Sequence, residues 1–280
     1  MKTSNKLLIA FAAALILIPI LCIAYVSRVY YEKGDYASKM GDMDTYGPKP
    51  KLAIAFSGTG SAKTINIQGE SKIHLAVTVI KGTKVGLEVS ENLKGLVTVQ
   101  FAANGDLQIN VKGDPGHQEN FGRIAISAPE VKNINVAGSR GISLVAEMDS
   151  LNLNLVDAEL AQFNADTKVK HLNVDTRNVR EITCNETQSI SALFNLNNTS
   201  FKSDRGSFDD LTINSAGNSS MELNGGDQAK TINNLRINTL GKSDVKLLNM
   251  IINQCSGKFS DSTTVQMPAV NINQMYKVKK

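Results

Sequence analysis

"NINVAGSRGISL" runs from Asn133 to Leu144, and "RINTLGKSDVKL" runs from Arg236 to Leu247. Each is an alternating apolar stretch, a glycine-containing turn and a second alternating stretch. Alternation with period two marks a strand with one buried face. Its return after a hundred residues marks a repeat. Between the two copies, apolar pairs flank a polar residue at intervals: Ile134 and Val136 around Asn135, Leu153 and Leu155 around Asn154, Leu172 and Val174 around Asn173. Phe194 and Leu196 follow around Asn195, Leu211 and Ile213 around Thr212, Leu235 and Ile237 around Arg236. The second members of these pairs are spaced by about 20 residues, the range of a solenoid repeat.

One such unit cannot bury its apolar side alone. Stacked on its neighbours it lines a continuous core, and its backbone pairs with the coils above and below. The expected fold is therefore all-β, a β-helix or β-solenoid with about 20 residues and two short strands per coil. Strand signals extend upstream through "KIHLAVTVI", "LVTVQF" and "DLQINV", and nothing from Lys51 to Gly113 reads as a helix. Gly138, Gly217 and Gly241 fall in the turns, where a positive φ costs Gly little. "LNLVDAEL" and "NVDTRNVREI" lack Gly, so their turns are expected to be widened or built differently.

Outside the repeat, Leu7 to Val26 is twenty residues without a charge, long enough to span a bilayer as a helix. Lys2 and Lys6 before it place residues 1–6 in the cytoplasm and the rest outside. An uncleaved signal-anchor is expected; the alternative is cleavage after Ala24. Cys22 could mark a lipoprotein, but Leu21 precedes it where a small residue is wanted. Residues 27–50 are polar and aperiodic, a linker, and 51–275 form the solenoid domain. Residues 276–280 are a basic tail, and "NINQMYKVKK" could cap the last coil. The localisation expected is membrane-anchored, with the main domain extracytoplasmic.

Composition narrows the function. Aromatic residues are 5% and there is no Trp, so stacking platforms are scarce. The net charge is +4 with no basic stripe, which argues against nucleic acid as a partner. His74, His117 and His171 have no metal-site spacing, so no metal or other cofactor is expected. "GTGSAKT" (58–64) lacks phosphate-loop spacing and no helix follows it. Hydrolysis of a glycan would need two carboxylates about 5–10 Å apart. The candidates Asp157, Glu159, Asp175 and Glu181 do not fall in one column, and solvated charge is the expected reading. Cys184 and Cys255 fall coils apart, too far for a disulfide, whose Cα atoms stand within about 7 Å.

In this register Asn135, Asn154, Asn173 and Asn195 form a surface column of four coils that stops at Thr212. Stacked amides of this kind form a structural ladder; the alternative is a surface that binds glycan hydroxyls.

These residues resemble the family known as the putative auto-transporter adhesin, head GIN domain. The resemblance covers about Ala62 to Ser260. It rests on "IAISAPEVKNINVAGSRGISL", where Pro129, Val131, Ile134, Val136, Gly138 and Ser139 match, and on "INSAGNSSMEL" and "INTLGKSDVKL", which repeat the turn. The resemblance implies a β-helix-like protein of a Bacteroidetes cell envelope and brings no catalytic residues. The expected function is a non-enzymatic, adhesin-like module binding an envelope glycan or protein, or another copy of itself. The alternatives are a β-helix carbohydrate-active enzyme and a self-assembling envelope scaffold.

Overall fold

Inward and outward residues alternate along nearly every strand, and the inward ones meet in one core that runs the length of the domain. The computed structural model describes residues 52–58, 62–70, 73–113 and 120–276. The proposed anchor, the linker, His117 and residues 277–280 of the tail lie outside them. Among the described residues no helix is long and apolar enough to cross a membrane.

The elements are β1 (Leu52–Gly58), β2 (Thr64–Gly69), β3 (Ile73–Lys81), β4 (Val85–Ser90), β5 (Val97–Phe101) and β6 (Leu107–Val111). Then come β7 (Asn120–Ala128), β8 (Asn133–Ala137), β9 (Gly141–Phe163), β10 (Lys168–Asn185), β11 (Gln188–Asn197) and β12 (Ser200–Asp204). The last are β13 (Ser207–Ala216), β14 (Ser219–Asn224), β15 (Lys230–Leu240), β16 (Ser243–Leu248), β17 (Met250–Lys258), β18 (Thr263–Gln266) and α1 (Ala269–Tyr276).

Two parallel stacks form the solenoid. On one flank β6, β2, β8, the middle of β9, β10, β11, β13, β15 and β17 follow one another. On another, β7, β3 and the start of β9 lead through the end of β9 to the end of β10 and then to β12, β14, β16 and β18. Two coils are not split into short strands: β9 and β10 run 23 and 18 residues through their corners. The strand count per coil therefore differs from the sequence expectation there, because the corner is one residue wide and pairing continues past it.

The first coils are not stacked in chain order. β6 and β7 lie outside β2 and β3, so the chain makes the second coil before the first. Antiparallel strands cover that end: β5 on β6, β4 on β7 and β1 on β4. Among the described residues of this region, the one helical turn is the 3-10 turn Glu91–Leu93.

One corner explains the glycines. Gly138, Asp157, Asn178, Asn198, Gly217 and Gly241 occupy equivalent positions, each following a paired flank residue. All six have a positive φ, from +51° at Asn198 to +102° at Gly241. The coils without Gly are therefore not widened, contrary to the sequence expectation. Asp157 (φ 52°) and Asn178 (φ 55°) make the same left-handed corner, and Asn178 Nδ2 donates to Asp157 Oδ1 at 3.0 Å. Asn and Asp visit this region because their short polar side chains bond locally. Accordingly, Asn178→Val should cost about 1–2 kcal/mol in urea unfolding, whereas Asn178→Gly should stay within about 1 kcal/mol of wild type. Equal losses from both would show that the corner φ is not what selects Asn.

Candidate binding face

The β8–β17 flank is built from strand residues facing away from the core. Its backbone register puts Asn66, Asn135, Asn154, Asp175, Asn195, Asn214 and Asn238 in one column. Asn173 is not in it. It pairs with Asn152, which pairs with Asn133, and these three form a second column two residues away. Asp175 stands where the sequence register put Asn173. The column also does not stop at Thr212, since Asn195 pairs with Asn214 and Asn214 with Asn238.

The cause of the shift is on the inner side. The core position after each column residue from Asn135 onward is Val136, Leu155, Thr176, Leu196, Ser215 and Thr239. Three of the six are hydroxyl residues, each 7% exposed or less. A pattern of apolar pairs omits these hydroxyl positions and therefore falls two residues early in those coils. Thr176 Oγ1 lies 2.9 Å from Thr199 Oγ1 and accepts from Asn197 N–H at 3.2 Å, so this buried hydroxyl is accommodated by the Asn198 corner of the following coil.

Side chains in the columns bond along the stack. Asn135 Nδ2 donates to Asn66 Oδ1 at 2.7 Å, Asn195 Nδ2 to Asp175 Oδ1 at 2.7 Å, Asn214 Nδ2 to Asn195 Oδ1 at 2.8 Å and Asn238 Nδ2 to Asn214 Oδ1 at 2.8 Å. Asn152 Nδ2 donates to Asn133 Oδ1 at 3.0 Å in the neighbouring column. A carboxamide has two N–H donors and an oxygen with two lone pairs. An Asn that gives one N–H to the coil before and accepts one from the coil after keeps one donor and one acceptor site for the outside.

The other flank is charged. Lys202, Glu222 and Lys246 form one column of alternating sign, and Lys202 Nζ reaches diagonally to donate to Glu181 Oε2 at 2.8 Å, Glu181 itself pairing with Ser200. The four candidate carboxylates are thereby accounted for separately. Asp157 is at the corner, Asp175 is in the amide column, Glu181 pairs with Lys202, and Glu159 lies 3.9 Å from Arg140. No two of them are brought to face one another across a shared groove by these contacts.

His74 stacks on Phe121 with ring centroids 5.3 Å apart, and its Nε2 is 2.9 Å from Ser143 Oγ. Burial, reinforced by the Arg140 charge, holds its pKa below the ordinary histidine value. His171 Nδ1 is 2.8 Å from Ser191 Oγ. Among the described residues no three His, Cys, Asp or Glu side chains cluster as metal ligands. Cys184 and Cys255 are both buried and unbonded. Burial pushes the Cys184 thiol far above its ordinary range and the Cys255 thiol up to about 11.

These features define a parallel β-solenoid with a polar, amide-rich flank. The chain belongs to the family described as "Putative auto-transporter adhesin, head GIN domain", whose model matches residues 63–271. No curated protein matches it. Among solved structures it is similar to a putative adhesin from Parabacteroides merdae, at 13% identity over 74% of this chain and 95% of that one, with a TM-score of 0.36. A putative adhesin from Parabacteroides distasonis aligns at 16% identity over 78% and 93%, with a TM-score of 0.36. A putative lipid binding protein from the same species aligns at 12% over 74% and 96%, with a TM-score of 0.34.

Proposed function

We propose that this chain is a non-enzymatic, adhesin-like binding module of the bacterial cell envelope, held to the membrane by residues 7–26. Its ligand-contacting surface is the amide flank of β8–β17, and its ligand is a neutral, hydroxyl-rich envelope glycan. The observation that carries this reading is the bonded Asn column. The bonded coils fix their amides in one orientation and repeat them at the coil spacing of about 4.8 Å, so a polymer lying along the axis meets the same donor and acceptor more than once. Many weak, pre-oriented contacts suit multivalent attachment more than they suit catalysis.

The test is binding of the full chain in detergent micelles to purified envelope polysaccharide. Replacing Asn154, Asn195 and Asn214 together by Ala should weaken binding at least about tenfold, by loss of several hydrogen bonds. Replacing Lys202 and Glu222 by Ala on the charged flank should leave it unchanged. Loss of binding from the second variant and not the first would reject the amide flank. Release of new reducing ends from the polysaccharide would reject the non-enzymatic reading in favour of a carbohydrate-active enzyme.

A further inference from the structure

A parallel solenoid ends in a strand whose outward backbone groups have no next coil. Proteins blunt such edges with charge, proline, bulges or a covering element. On the amide flank the final strand is β17, paired on its inner side with β15. Its sequence, MIINQCSGK, has a single charge, at its last residue, and no Pro. The strand itself therefore does little to repel a partner.

The covering element is α1, and the contact is specific. Gln274 Nε2 donates to Asn253 O at 3.0 Å, while Gln274 Oε1 accepts from Cys255 N–H at 2.9 Å. In a parallel ladder a residue donates to the carbonyl before its partner and accepts from the N–H after it. Asn253 and Cys255 are the two neighbours of Gln254. One side-chain carboxamide thus makes the pair of bonds that a residue of a further coil, aligned with Gln254, would make through its main chain. Asn271, 2% exposed, adds Nδ2 to Ile252 O at 3.2 Å and to Gln274 Oε1 at 3.3 Å, fixing the Gln274 amide.

We propose that α1 is a strand mimic that closes the β17 edge, and that the partner it excludes is a second copy of this chain pairing through that edge. A second copy is the occupant because it presents the same strand, charged only at its last residue, and the same backbone groups, so an uncapped edge meets its complement at every encounter with its own kind. The inference does not depend on which ligand the amide flank takes.

The test compares the full chain with Gln274→Ala and with a chain ending at Met267, in detergent micelles of one composition. Sedimentation gives particle mass, circular dichroism gives fold, and alkylation of Cys255 reports edge exposure. Wild type should show no concentration-dependent association. Both variants should keep their strand signal, expose Cys255 and form larger particles. Gln274→Ala should tighten self-association by about tenfold, the factor expected when two backbone groups lose their internal partners. A folded Gln274→Ala protein with the wild-type mass at all concentrations overturns the proposal, and so does equal association of wild type. Should the shortened chain fail to fold, Gln274→Ala decides alone.

Discussion

Replacing Phe194 by Ala should destabilise the central coils by about 3–5 kcal/mol. Phe194 is fully buried in β11, with its ring centroid 4.6 Å from that of Phe201 and 6.4 Å, edge-on, from that of Phe163. These rings come from β9, β11 and β12, so one side chain ties both sides of its own corner and reaches past the β10 coil to β9. Truncation removes its transfer free energy and leaves a cavity. The cavity cannot close easily, because inter-coil distances are set by the backbone ladder, not by side-chain contact. Urea unfolding should show a lower midpoint, and hydrogen exchange should quicken most in β10–β13, since solenoid stability is a sum of local and nearest-neighbour terms. A loss below about 1 kcal/mol would mean that the coils collapse onto the vacancy.

Gly257→Ala should cost on the order of 3 kcal/mol, concentrated in the last coils. Gly257 has φ +138° and pairs with Ile237 in the β15–β17 ladder. A Cβ added there would overlap the Ile237 carbonyl oxygen, which is backbone and cannot rotate away. The dihedral is itself one that residues with a Cβ rarely adopt. β17 would have to lift from β15, and Cys255, two residues away and 4% exposed, would open to alkylation. Cys184, deep in β10, should stay protected. Equal labelling of both thiols would point to global unfolding, and no labelling of either would show that β17 tolerates the added carbon.

The glycine-free corners at Asp157, Asn178 and Asn198 and the Asn column show how far the sequence reaches. That a corner exists after Leu155 or Thr176 follows from the break in alternation. That Asp157 and Asn178 would take the glycine conformation is legible only once Asn and Asp are counted as left-handed residues alongside Gly. The cap was half legible: the C-terminal segment reads as polar and able to close an end. The exchange of one carboxamide for a peptide group needs the helix in place over β17.

By itself, the sequence determined the period, the all-β class and the inward face of each strand. All of these follow from alternation and from a core that asks the same of every coil. The tertiary structure alone decided the register between coils. A slip of two residues leaves every inward side chain inward, so hydrophobic patterning cannot detect it. It took the backbone ladder to replace Asn173 with Asp175 in the column and carry that column on to Asn214 and Asn238. The tertiary structure also decided the order of the first coils, where β6 and β7 stack outside β2 and β3. Strand pairing is long-range, and a strand's own residues do not encode which edge it will join.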